Sequence, residues 1–321
     1  MTQRADGTVL VTGAAGFIGS HVVSALLARG ERVVGVDNFD PFYPRPEKER
    51  NLREVGAHTA FEFREGDACD RAWFARVMDE ARPAGVIHLA ARAGVRPSIQ
   101  DPVGYAMANV VATSIVLEEA KRIGCGRVVI ASSSSVYGNS PTAPFSETQD
   151  VNEPISPYAA TKKACELIGY THWHLTKMPV AMLRFFTVFG PRQRPDLAIS
   201  LFMRRIAAGE PVQLFGEGTS RDYTYIDDIV TGVLAAYDRI HEHGYRVWNL
   251  GGNHPVALEE MVETIARTVG RPARIERGPM RPGDVLRTWA DLTRSGAELG
   301  YRPTTPFAEG VARQWEWMRS L

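Results

Sequence analysis

Short apolar runs rich in β-branched side chains alternate, as far as about Pro191, with stretches whose apolar residues recur at three- and four-residue spacing. Runs of the first kind suit parallel strands buried on both faces, and the second kind suits amphipathic helices packed between them. Residues 8–12 predict a strand, Ser20–Arg29 a helix stopped by Gly30, and Arg32–Val36 a second strand that ends on Asp37. Further strands are expected at 61–67, at 86–91, from Arg127 into a run of serines, and at 180–191. Helices are expected from Asn109 to near Gly124 and from Pro157 onward, the latter with Ser156 as its cap. This order predicts an α/β fold, a doubly wound parallel sheet with helices on both faces.

Beyond residue 188 the alternation loosens, and Pro191, Pro195 and Pro211 punctuate it. A helix over Leu197–Ala208, strands at 212–215 and 223–225, and a helix over 227–239 capped by Asp227 are expected there. Val247–Leu250 reads as a strand returning to the main sheet, and Phe307, Val311 and Trp315 as the core face of a closing helix. The predicted division is therefore residues 1–187, with the later segment near 225–250 returning to that unit, and a smaller C-terminal α/β lobe over 188–321. The stretch Asn38-Phe-Asp-Pro-Phe-Tyr-Pro-Arg-Pro, with three prolines, is expected to be irregular.

Composition narrows the partners. Lys+Arg and Asp+Glu both number 37, so nothing favours a nucleic acid or a membrane surface, and an anionic ligand must be met by local arginines. Cys69, Cys125 and Cys165 are scattered, odd in number and without metal-binding spacing. They suggest a reducing compartment, and no metal is expected. A polar start and the lack of a spanning apolar run point to the cytoplasm.

Candidate chemistry begins at Gly13, Gly16 and Gly19, which lie between the first strand and helix. Glycine at these places allows a tight turn, close approach of backbone N–H groups to a pyrophosphate, and close helix–strand packing. Asp37 at the end of the second strand is placed to accept from a ribose 2′-OH and would repel a 2′-phosphate, which favours NAD over NADP. This is a Rossmann-type dinucleotide unit. Asp67 is either an acceptor for the adenine amino group or part of a helix cap, and Arg92 and Arg96 are either ligand-facing or solvated. Ser132–Ser135 place four hydroxyls at the end of a strand, poorly explained by packing. Tyr158 and Lys162, four residues apart, share a helix face. A lysine ammonium one turn away, with the positive nicotinamide ring, is expected to lower the Tyr158 pKa so that it serves as a base, with a serine from 133–135 positioning a substrate hydroxyl.

Taken together, Gly13–Gly19, His88-Leu-Ala-Ala, Ser132–Gly138, Tyr158-x-x-x-Lys162 and Arg281-Pro-Gly-Asp284 resemble the extended short-chain dehydrogenase/reductases over nearly the whole chain. The resemblance implies a homodimer formed through the helix that carries Tyr158 and Lys162, and a nucleotide-diphosphate-sugar substrate. It also implies cofactor contacts from Phe17, Ile18, Asn38, Ala68, Leu89, Ala90, Ala91 and Asn109. Arg221, Arg281 and Asp284, with Gln213, would bind a UDP moiety. Related 4,6-dehydratases carry an Asp-Glu pair, and uronate decarboxylases a glutamate, where this chain has Ser134 and Ser135, which disfavours both reactions. The segments 91–98, 37–43 and 186–196 resemble UDP-glucuronate 4-epimerases. There Ser134, Ser135, Thr187 and Arg194, beside Arg92, would hold the sugar and its carboxylate. Epimerisation of UDP-glucose or UDP-N-acetylglucosamine, and a non-catalytic NAD-sensing role, are the alternatives.

Overall fold

The computed structural model describes residues 7–53 and 55–321. Its main sheet contains β1 (Thr8–Thr12), β2 (Arg32–Asp37), β3 (Phe61–Glu65), β4 (Gly85–His88), β5 (Val128–Ser133) and β6 (Val180–Phe185). The chain continues through β7 (Thr187–Phe189), β8 (Pro211–Phe215), β9 (Ser220–Tyr225), β10 (Tyr245–Leu250), β11 (Pro255–Ala257) and β12 (Arg274–Gly278). Seven parallel strands in the order β10-β6-β5-β4-β1-β2-β3 form the main sheet, including β10 as the expected return. This is the doubly wound, Rossmann-type arrangement. Strand order reverses at β1, so a crevice opens beyond the carboxyl ends of β1 and β4.

Alternation along each strand supplies both faces. Val9, Val11, Ile87, Val129 and Leu183 pack on one side with the helices Phe17–Ala28 and Ile226–Arg239. Leu10, Val34, Val86, Ile130 and Met182 pack on the other with the helices Arg71–Ala81, Ala112–Arg122 and Pro157–Thr176. The first cluster does not stop at the sheet: it continues through Phe189 and Ile226 to Met261 and Val311. The smaller β11-β9-β7 and β12-β8 sheets are thus joined to the main one by shared apolar packing.

Several elements differ from the sequence expectations. The strand expected at 180–191 is two, because the chain leaves the main sheet at Phe186 and β7 pairs with β9. A helix, Arg45–Arg53, begins inside the proline-rich stretch expected to be irregular; Pro46 lies in its first turn, where a missing N–H costs little. The helix expected from Ser20 starts at Phe17. The helix expected from Asn109 begins as a wide turn, Ala106–Val111, before Ala112–Arg122. Asp227 is not a cap: Tyr225 holds that position and Asp227 lies in the first turn. Leu258–Val269 is a helix and Arg274–Gly278 a strand that the sequence reading lacked. Among the described residues no helix is long and apolar enough to cross a membrane.

Candidate active site

The crevice is a cavity of about 720 Å³ whose walls come from the carboxyl ends of β1, β2, β4, β5 and β6. At one end the chain turns at Gly13 (φ 71°), and a Cβ on Gly19 would lie 2.0 Å from the Gly13 carbonyl oxygen. Only glycine permits that approach. Gly16, Phe17 and Ile18 line the cavity at the start of the helix, which no side chain caps among the described residues. Its first N–H groups and the positive end of its dipole are available to an anion. Substituting Gly19→Ala should therefore lower the melting temperature by several degrees and reduce the NAD retained on purification, both read on one preparation.

Asp37 is buried and accepts from the backbone N–H groups of Ala15 (3.2 Å) and Phe39 (2.8 Å), with Lys48 Nζ 3.4 Å away. Two carboxylate oxygens offer about four acceptor sites, so one remains for a ribose hydroxyl. Lys48 was not singled out from the sequence, since it sits on the helix that the prolines seemed to forbid. Asn38 donates to Asp67 (3.0 Å), and both line the cavity with Ala68, Leu89, Ala90 and Ala91. The cap of the following helix is Asp70, not Asp67. A pyrophosphate cradle, a ribose acceptor and apolar walls on one cavity fit a dinucleotide.

Asn109, an expected cofactor contact, is placed behind the cavity wall. It is 1% exposed and its amide is committed to the backbone N–H and C=O of Arg92 and to the Thr161 hydroxyl (2.9–3.0 Å). It shapes the loop after β4 and is absent from the cavity wall.

The middle of the cavity holds the expected catalytic group. Ser156 accepts from the Ala159 N–H (3.1 Å) and Pro157 occupies the first turn, fixing the helix that presents Tyr158 and Lys162, both buried. Ser133 accepts from the Ser135 N–H, and the two hydroxyls are 3.1 Å apart. Lys162 Nζ donates to the Ala131 carbonyl (2.8 Å). In the chain alone the Tyr158 pKa is not lowered: burial pushes it up, while the Ser133 hydroxyl and Arg194 pull it down. Burial also depresses Lys162, whose ammonium is held by a carbonyl. The positive charge that would favour a phenolate must therefore arrive with the cofactor.

Behind this face lies a buried assembly that sequence spacing could not reveal. Glu166, one turn beyond Lys162, accepts from Ser132 Oγ (2.7 Å) and forms a two-bond fork with Arg184 of β6 (2.8 Å each). Such a pair fixes the catalytic helix against the serine-bearing strand, and opening it by removing one partner costs about 3–5 kcal/mol.

Toward the other end, Thr187 and Arg194 line the same cavity. Arg194 forks onto Asp196 (3.0 and 2.6 Å) and lies over the Phe42 ring at 4.7 Å. Arg92 also lines the wall, but its guanidinium is engaged by Asp40 and Asp101. A second cavity of about 140 Å³ shares Ser134, Ser135 and Thr187 with the first and adds Arg221 and Asp284. Arg96, 3.7 Å from Asp284, stands beside this second space. Two expected contacts are not brought there. Arg281 stacks on the Phe215 ring at 3.2 Å, and Gln213 takes the exposed alternate position of β8 between buried Val212 and Leu214.

A family model described as GDP-mannose 4,6 dehydratase matches residues 10–314. The chain belongs to that family. A relative named probable UDP-glucuronate 4-epimerase, from Rhizobium meliloti (strain 1021), is 41% identical, the match covering 96% of each chain. Among solved structures, this family member is similar to the UDP-glucuronic acid 4-epimerase of Bacillus cereus in complex with UDP-glucuronic acid and NAD. That match has a TM-score of 0.91 and 34% identity, over 98% of this chain and 99% of the other. It is also similar to the UDP-glucose 4-epimerase of Thermotoga maritima with UDP-glucose, with a TM-score of 0.88 and 30% identity over 98% and 99%. Ser134 and Ser135 offer no carboxylate, which disfavours the elimination that the family's description names.

Proposed function

We propose that this chain is an NAD-dependent isomerase that inverts C4 of a UDP-sugar, converting UDP-glucuronate to UDP-galacturonate. The observation that carries this reading is one cavity holding a glycine cradle with Asp37 at one end, Tyr158, Lys162 and Ser133 in the middle, and Thr187 and Arg194 beyond them. The Rhizobium and Bacillus relatives, named for this activity, support it.

Tyr158 removes the proton from the C4 hydroxyl, and a serine of 133–135 orients that hydroxyl. The glycine cradle, Asp37 and Lys162 would hold NAD, which would supply the hydride acceptor and donor for C4. The 4-keto sugar turns between these steps so that its other face is presented, and Tyr158 returns the proton to O4. Lys162, fixed by Ala131, holds the nicotinamide ribose. A 4-keto uronate is a β-keto acid, and it loses CO₂ when the bond to its carboxylate aligns with the carbonyl π system. Arg194, Thr187 and the Ser134 and Ser135 hydroxyls grip that carboxylate and resist the alignment. Arg221 supports the UDP diphosphate from the second cavity beside Asp284.

In this reading residues 1–187 chiefly hold the dinucleotide, the region after 188 chiefly holds UDP, and the enzyme works in the cytoplasm. A homodimer through the catalytic helix is supported by exposed Leu167, Tyr170 and Leu175 on that helix, and sedimentation would test it. The reaction itself is tested by running it in D₂O. UDP-galacturonate carrying its original hydrogen at C4 is the expected product; deuterium at C4 would mean that a solvent proton, not a returned hydride, reaches that carbon.

A further inference from the structure

Tyr43 presents an unexplained group to the cofactor end of the cavity. The residue is only 8% exposed, it lines the wall, and its hydroxyl finds no hydrogen-bond partner among the described residues. Leaving a buried hydroxyl unpaired is costly, and an orphan donor on a cavity wall is most simply completed by what the cavity binds. Burial pushes the phenol well up, so it stays protonated and can donate.

Its position selects the partner. A Cβ on Gly16 would lie 3.9 Å from the Tyr43 hydroxyl oxygen, so the phenol stands over the start of the uncapped Phe17–Ala28 helix. An anionic oxygen accepting from the first N–H groups of that helix would lie on the side of the cavity that the phenol faces. The ring is itself held in place: Lys48 Nζ lies 5.0 Å from its centroid, and Lys48 is tied to Asp37.

We propose that the Tyr43 hydroxyl is a cofactor-binding donor that completes the pyrophosphate site of the dinucleotide, a side-chain donor beside the backbone N–H groups of the cradle. This rests on the NAD-binding reading above. Asp37, Lys48 and Tyr43 then act as one assembly on the adenosine half, the carboxylate at the ribose and the phenol at the phosphates.

The test is Tyr43→Phe in the full-length chain, which removes only the oxygen. Affinities for NADH and for ADP-ribose should each fall about tenfold, as for one hydrogen bond to a charged group. The melting temperature without nucleotide should stay at the wild-type value, because the hydroxyl has no protein partner to lose. Unchanged affinity for both nucleotides would overturn the proposal, including the case in which only the KM for UDP-glucuronate rises and the phenol faces the sugar. A wild-type chain that bound neither nucleotide would remove the dinucleotide reading itself, so the two failures are distinguishable.

Discussion

Replacing Tyr158 with phenylalanine is expected to lower kcat for UDP-glucuronate epimerisation by about 10³-fold, in the range for loss of a positioned acid–base group. KM and the NAD content of the purified protein should change little, because the ring remains and the cofactor cradle is elsewhere. The pH dependence follows from the same residue. Burial raises the Tyr158 pKa, and a base acts in its deprotonated form. The phenolate fraction, and with it kcat/KM of the wild type, should therefore rise with pH, with a slope of one on a logarithmic plot, up to the Tyr158 pKa that the bound cofactor sets, and level off above it. The residual rate of the Phe variant should lose that slope. A variant retaining more than a tenth of the wild-type rate would assign the proton transfer to another group.

Arg194→Ala should have the next largest effect, and it should act in two ways. Among the described residues, the arginine offers the only guanidinium in the cavity not shared by two protein carboxylates: Arg92 is held by Asp40 and Asp101, whereas Arg194 is paired with Asp196, itself 45% exposed. Losing its charge-assisted bonds to the sugar carboxylate should raise the KM for UDP-glucuronate by about 10- to 100-fold. The carboxylate of the 4-keto sugar, no longer gripped, should then align and leave, so a UDP-pentose should appear among the products. Because Arg194 also lowers the Tyr158 pKa, the pH profile should move to higher pH. Binding of UDP-glucose, which has no carboxylate, should be unaffected. Unaltered uronate turnover without any pentose would remove the arginine from the substrate site.

Much of this architecture is readable from local pattern. The alternation of Val9, Leu10 and Val11 supplies both faces of the sheet, and Gly13 and Gly19 mark a turn that no side chain can enter. Ser156 and Pro157 start the catalytic helix at the register that pairs Tyr158 with Lys162. What escaped had no local signal. The strand Arg274–Gly278 is mostly exposed and polar, and it is ordered by backbone pairing to β8 rather than by an apolar period. The helix Arg45–Arg53 is almost wholly polar, so its prolines outweighed its pattern. The cavity-facing side chains were harder still. Asn109, Arg281 and Gln213 are chemically suited to ligands, yet in the structure the first bonds to a loop, the second stacks on an aromatic ring and the third faces outward. Such commitments depend on contacts far apart in sequence, as does the Glu166–Arg184 fork behind the serines. The same distance hid the burial that raises Tyr158, which reversed the expected direction of its shift in the chain alone.

The most direct test of the central claim is to incubate the purified protein with UDP-glucuronate and, separately, with UDP-glucose, with and without added NAD, and to identify the products by proton NMR. UDP-galacturonate from the first substrate and no UDP-galactose from the second is the expected result. UDP-galactose from UDP-glucose, or a UDP-pentose as the main product from UDP-glucuronate, would contradict it.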